Sequence, residues 1–303
     1  MVVCVENNDS NMACIYPNCI KNRPDLLGLE PFELLRYTDP GEEITVTVRY
    51  VDNIAYLGLY MVPLSEKAVK QFIQYIFKHN KQINLIRYEY SYQKPGENIH
   101  VHNHFRIRLP ETVEQLEGRL SKKGRYNIAR EKRILEQTFG TWSVMEYAFD
   151  DDKALPVWEQ YFDYKSLAYG EHWRDSTRDE YCRNFGVSTV YVLTLGAEKH
   201  IGAIVLSCEQ CPEVYIDNLT YDPELAKYSL GQILYDEYLQ ALIRKGRKEL
   251  FLLGGNYSYK KRYGSLEEQV YSGQVIRNAG WIRCKVFVWN LLVKLKLLPG
   301  EQS

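Results

Sequence analysis

The sequence lacks most of the features that announce a function. No stretch reaches the ~18 uninterrupted apolar residues that a membrane span needs. The opening MVVCVENNDSN has neither the basic start nor the apolar run of a secretory signal, so the chain is expected in the cytoplasm. Its seven cysteines (Cys4, Cys14, Cys19, Cys182, Cys208, Cys211, Cys284) are odd in number and scattered over 303 residues. That argues against a disulfide framework and for a reducing compartment. Neither sign of charge is in excess: 38 Lys and Arg against 39 Asp and Glu leave a formal net charge of -1. This is too small a basic surplus for a protein whose main task is wrapping nucleic acid, and DNA is not an expected partner. Gly-x-Ser-x-Gly, Walker A and paired-carboxylate motifs are missing, which weighs against hydrolase, NTPase and glycosidase readings.

What is present is the make-up of a folded protein, 45% hydrophobic and 25% charged, with no low-complexity tract. The length predicts two domains, because single cores rarely grow past a couple of hundred residues. Strands are expected at EITVTVRY and IAYLGLYMV, then a helix from Glu66 to His79 and a strand INLIRYEY. After the turn KPGEN follow an extended IHVHNHFRIRLP and one long charged helix from Thr112 to Thr138. Near Gly140 the pattern restarts with a strand WSVMEYAF and helices around Ala154–Leu167 and Ser176–Asn184. Three strands, TVYVLTL, HIGAIVLSC and VYIDNLTY, are joined by turns short enough to make them an antiparallel meander. A helix from Gly231 to Lys245, closed by Gly246, then leads to KELFLLG as a βαβ crossover with parallel flanking strands. The expected fold is α/β (α+β), a mixed and mostly antiparallel sheet flanked by helices, divided into 1–139, 140–280 and a basic amphipathic tail at 281–303.

Such a topology places a loop-to-helix junction, YSLGQ, at the end of a central strand, where open α/β sheets bind ligands. Unpaired amides of a helix's first turn suit phosphate, and glycine lets a ligand approach the backbone. Three amides from Leu230, Gly231 and Gln232 at ~1.5 kcal/mol each would supply roughly a thousandfold in affinity. The plainer reading is that Ser229 or Gly231 merely starts a packed helix with Leu234, Tyr238, Ala241 and Leu242 as its core stripe.

The run from TVYVLTL through YDPELAKYSLG and the helix-ending KG to YKKRYG resembles the GNAT-type acyltransferases of the cellulose-biosynthesis (CelD-like, or BioF2-like) group. Upstream, GRLSKKGRYNIAREKRIL is similar to that group's basic helix. The resemblance covers roughly Leu116 to Gln274 and implies two tandem GNAT-like halves, the second catalytic. It implies transfer of an acyl group from acetyl-CoA or another acyl-CoA, a co-substrate and not a tightly bound cofactor, to an amine acceptor. The amino sugars of cell-surface polysaccharide are the acceptor class. Backbone groups of Asn218, Leu219, Thr220 and Tyr221 would meet the pantetheine and thioester, Ser229, Leu230, Gly231 and Gln232 the pyrophosphate, and Asn256 and Lys260 complete the CoA site. Attack on a thioester needs a neutral amine, a donor for the oxyanion and an acid for the thiolate. Tyr259 is the candidate acid, Tyr257 its alternate, and Asp217 the candidate acceptor base. His172, Trp173 and Arg174 lie where such domains contact the acceptor. Two departures stand out: Leu230 replaces the group's usual proline, and LLGGN lacks an acidic residue the group often carries after the last strand. On this reading, Gly231→Val abolishes acyl-CoA binding and leaves the fold largely intact.

The tandem arrangement and basic helix also resemble FemABX-type transferases, whose donor is aminoacyl-tRNA. A non-catalytic GNAT-fold binding protein at the membrane surface is a further alternative. His100, His102 and His104 on one strand face have a metal-ligand spacing but no obvious fourth ligand, so no metal is assigned. The Cys208 and Cys211 pair is read as incidental. Lys122, Lys123, Arg125, Arg130, Lys132 and Arg133 form either a solvated helix face with Glu131 as internal partner or a surface for a phosphate-rich ligand. Residues 281–297 pair Trp281, Phe287 and Trp289 with Lys285, Lys294 and Lys296, and suit either packing or peripheral contact with the inner face of the membrane.

Overall fold

The computed structural model describes residues 2–5, 32–40, 42–58, 64–170, 177–178, 187–209, 214–252, 258–277 and 288. Along the chain the strands are β1 (Val2–Val5), β2 (Phe32–Asp39), β3 (Glu42–Val51), β4 (Ile54–Leu57), β5 (Leu85–Ser91), β6 (Glu97–Arg108), β7 (Trp142–Ala148), β8 (Thr189–Leu195), β9 (His200–Cys208), β10 (Val214–Tyr221), β11 (Glu249–Phe251) and β12 (Leu266–Ile276). The helices are α1 (Glu66–His79), α2 (Val113–Gly118), α3 (Lys122–Phe139), α4 (Leu155–Tyr169), α5 (Leu230–Arg244) and a single turn, α6 (Ser258–Lys261). The chain packs as two units, 1–15 with 29–102 and 269–303, and 16–28 with 103–268. This division differs from a cut at residue 139: α2 and α3 go with the second unit, and most of β12 returns to the first.

In the first unit the strands run in the order β1-β2-β3-β4-β5-β12. All neighbours are antiparallel except β4 and β5, which α1 connects as a parallel pair. Ser65 starts α1 by accepting from the Ala68 amide at 3.1 Å. The helix lays Ala68, Val69, Phe72 and Ile76, spaced at three and four residues, on Leu35, Val46, Val48, Leu57 and Ile86 of the sheet.

The second unit repeats the plan in the order β6-β11-β10-β9-β8-β7. An antiparallel meander, β7 to β10, is followed by α5 and a strand β11 parallel to β10. The expected meander and crossover are therefore found, and both units carry the same arrangement of antiparallel strands followed by one parallel crossover. Every residue of β8 is buried because both faces are covered. Tyr191, Leu193 and Leu195 pack with α5, while Val190 and Val192 pack with Trp158 and Tyr161 of α4.

The helix expected over Thr112–Thr138 is two. Ser121 takes an extended conformation (φ -60, ψ 158) and caps α3 through the Gly124 amide at 3.0 Å, which ends α2 three residues earlier. Helix α5 closes as its sequence requires: Gly246 is left-handed (φ 71), and the Gly246 and Arg247 amides return to Ile243 and Leu242. Strands β1, β2 and β12 have no counterpart in the sequence reading. The expected helix at Ser176–Asn184, with His172, Trp173 and Arg174, lies outside the described residues apart from 177–178.

Candidate functional site

Strand β10 carries an irregularity at its centre. Ile216 pairs with Ser207 and Asn218 with Leu206, so Asp217 is an extra residue in the ladder with β9. Strict alternation would put Ile216 and Leu219 on opposite faces, yet both pack into the core beneath α5. The bulge accounts for this. On its other side β10 pairs with β11 only at Val214 and Tyr215. The next amide after β11, that of Leu252, turns to Phe105 of β6 at 2.7 Å. Among the described residues, Ile216 to Tyr221 thus have no strand partner on this edge. An extended ligand can make strand-like hydrogen bonds there, and Asn218, Leu219, Thr220 and Tyr221 all lie along it.

Helix α5 begins beside this edge. Ser229 is left-handed (φ 56, ψ 33) and makes no side-chain cap. That conformation brings its carbonyl to the Gln232 and Ile233 amides at 2.9 and 3.1 Å. Gln232 is therefore not an available donor, whereas the amides of Leu230 and Gly231 have no acceptor among the described residues. Two amides at ~1.5 kcal/mol reduce the expected gain to roughly a hundredfold. Gly231 has a packing reason as well: a Cβ there would lie 2.9 Å from Leu219 Cδ2 and 3.1 Å from Tyr221 Cδ1. The glycine lets α5 sit directly on β10, so a valine at this position disturbs packing and cannot probe binding alone. This corrects the expectation that Gly231→Val spares the fold.

Asp217 is half-buried and acts electrostatically on Lys165 of α4. Lys165 is 6% exposed, with Nζ 4.7 Å from the Tyr169 ring centroid and 5.8 Å from that of Tyr161. Burial pulls its ammonium down to about 8, against an opposing pull from Asp217. Sequence reasoning missed this residue. Its signal was position: Trp158, Tyr161 and Lys165 share the buried stripe of α4, so a lysine occupies a core position. Close by, His200 Nε2 and Asp222 Oδ2 are 2.8 Å apart, and Asp222 Oδ1 accepts from the Glu224 amide at 2.9 Å.

Lys260 is buried, and its Nζ donates to the Leu252 carbonyl at 2.6 Å. Desolvation lowers it to about 8. It closes the end of β11 and is not a solvated charge. Tyr259 lies on α6; its side chain, like Asn256 and Tyr257 as whole residues, lies outside the described residues. The tyrosine of YKKRYG that is described, Tyr263, is buried and donates to Asp236 Oδ1 at 2.5 Å. Asp236 also accepts from Lys132 at 2.7 Å and Gln240 at 3.1 Å. Lys132 is thus a tie between α3 and α5, and Glu131 accepts from Gln232 at 3.3 Å in place of the expected internal partner. Lys122, Lys123, Arg130 and Arg133 are exposed and have no acidic partner among the described residues. Among those residues, no group of three or more His, Cys, Asp or Glu is placed to hold a metal, and no helix is long and apolar enough to cross a membrane.

Residues 122–261 match the family described as the acetyltransferase (GNAT) domain. The matched stretch, somewhat less than half of the chain, takes in the bulged strand, the uncapped start of α5, Lys165 and α6. A search of curated proteins finds no match. Among solved structures, FemX superposes with a TM-score of 0.59 at 8% identity, covering 83% of this chain and 89% of that one. L-PGS from Bacillus licheniformis gives 0.55 at 12% identity, covering 89% and 90%. The C-terminal domain of a putative lysylphosphatidylglycerol synthetase from Agrobacterium fabrum gives 0.55 at 11%, covering 82% and 85%. At such identities the likeness is one of fold. The GNAT match over residues 122–261 supports an N-acyltransferase.

Proposed function

We propose that the chain transfers an acyl group from acyl-CoA to an amine, with an amino sugar of cell-surface polysaccharide as acceptor, as in the CelD-like and BioF2-like group. The observation that carries this reading is the edge of β10 that has no strand partner among the described residues, together with two amides at the start of α5 that have no acceptor among them. The edge suits pantetheine and the thioester carbonyl, and the amides suit a pyrophosphate. Tyr259, with Tyr257 as alternate, is assigned as the acid for the departing thiolate, and Asp217 to the acceptor. The reaction is assigned to the cytoplasm, with peripheral contact at the inner membrane face through residues 281–297.

A second reading keeps the fold and replaces the donor with aminoacyl-tRNA. The four exposed cations of α3 that have no acidic partner among the described residues favour it, because they match a phosphate backbone. A thermal-shift panel of CoA, acetyl-CoA, longer acyl-CoAs and tRNA separates the readings. A ligand at 100 times its Kd adds ~2.7 kcal/mol to stability. Protection by an acyl-CoA supports the first reading. Protection by tRNA alone, lost as salt rises, supports the second. No protection by any of them leaves a non-catalytic binding protein.

A further inference from the structure

Helix α3 has a covered side and an open one. Ile128 and Leu135 are buried at its back, in the core beneath α5. Its flanks are tied to α5 by Lys132, which donates to Asp236 and Glu237 at 2.7 Å, and by Glu131, which accepts from Gln232 at 3.3 Å. At about 100° per residue, the side opposite Leu135 is centred on Tyr126, which is 63% exposed. Lys122, Lys123, Arg130 and Arg133 all fall within roughly 60° of that tyrosine. The four are exposed, have no acidic partner among the described residues, and extend over about 17 Å of helix. Ile134, 38% exposed, borders this ridge on one side, and Glu136 borders it on the other. The crest itself carries no carboxylate.

We propose that this ridge docks the protein on an anionic phospholipid bilayer, with Tyr126 among the headgroups and the four cations against lipid phosphates. The inference concerns where the protein works and is independent of the donor and acceptor proposed above. Charge complementarity sets the sign of the partner, and shape sets its class. The convex crest of one helix meets a plane along its length. A-form RNA instead sets its phosphates about a deep, narrow groove that side chains do not read, and single strands are held in grooves of the protein. The residue types agree with a bilayer: a helix lying at the interface places an aromatic ring at headgroup level and reaches the phosphates with long cationic side chains. The aliphatic Ile134 at the border adds apolar contact to a bilayer and offers nothing to a phosphate backbone. Net charge then fixes the orientation. In a chain at -1, four cations gathered on one ridge leave the remaining residues net negative, so an anionic bilayer attracts this face and repels the rest taken together.

Co-sedimentation of the full chain with vesicles tests this, using phosphatidylcholine alone against phosphatidylcholine containing phosphatidylglycerol. The expected result is binding to the phosphatidylglycerol vesicles that weakens as salt rises, and none to phosphatidylcholine. Lys122→Gln with Arg133→Gln should lower the partition coefficient roughly 25-fold, at about fivefold per cation, and Tyr126→Ala should lower it several-fold. All three positions are exposed, and an unchanged Tm confirms that the variants are folded. Because residues 281–297 are assigned to the same surface, Lys285→Gln with Lys294→Gln is run beside them. Loss of binding in the α3 pair supports the proposal whatever the tail pair does; loss in the tail pair alone overturns it. Equal binding to both kinds of vesicle overturns it too. So does binding of tRNA through Lys122 and Arg133 without binding of vesicles, which would give the ridge to nucleic acid. No acyl-CoA enters the assay, so failure here leaves the acyl-CoA reading untouched.

Discussion

Lys165 costs the folded protein stability for as long as it carries a charge. Burial holds it at about 8 in the folded chain, below the ordinary lysine value of 10.5. Between these values the unfolded chain holds a proton that the folded chain has released, so stability rises with pH across that window, and below it the penalty is complete. Lys165→Met is therefore expected to raise stability by about 2 kcal/mol at pH 7, with the gain fading towards pH 10, as urea unfolding at the two pH values would read. A variant less stable than wild type at pH 7 would show that the ammonium contributes to folding. Gly231 offers the opposite case. Gly231→Val should cost about 1–3 kcal/mol by overpacking against Leu219 and Tyr221, and adding Leu219→Ala should recover part of it. A double variant whose Tm falls by the sum of the two single losses would show that the clash lies elsewhere.

At the level of elements, the meander and the βαβ crossover were legible because their signals are local: short turns, alternating or continuous apolar runs, and a glycine closing α5. Where a non-local contact decides the structure, the sequence was silent. Nothing in VYIDNLTY marks Asp217 as an extra residue, since a bulge is a relation between two strands. The candidate site could accordingly be named from the sequence as a stretch, 217–221 and 229–232, but not described as a geometry. Gln232 was counted as a donor although the left-handed Ser229 engages it, and Lys165 was passed over because charge usually means surface. The break between α2 and α3 had a signal, Ser121 with Gly124 three residues on. Ser121→Ala should cost about 1 kcal/mol. The Asp236 carboxylate, shared by Tyr263, Lys132 and Gln240, joins three elements in a buried setting. Asp236→Ala should cost about 3 kcal/mol by orphaning those partners, and Tyr263→Phe less, since it removes one hydrogen bond. Equal losses in denaturant titrations would mean that the tyrosine, not the carboxylate, is the centre of the network.

At the level of the whole molecule, net charge says little about partners, because a chain at -1 still presents on one helix four exposed cations with no acidic partner among the described residues. If α3 meets a phosphate backbone, changing Lys122, Lys123, Arg130 and Arg133 to glutamine should flatten the salt dependence of tRNA binding by about three units in log Kd against log salt. An unchanged slope in a filter-binding series would place any such contact elsewhere. The two units also differ in how they use the chain. Unit two draws its described strands and helices from one continuous segment, 103–268, whereas the sheet of unit one is completed by residues that follow all of it. During synthesis, β5 therefore waits with an open edge until Leu266–Ile276 has left the ribosome. An unpaired edge is a hazard for association with other chains. The discontinuity makes the first half of the protein, though translated first, the last to finish folding.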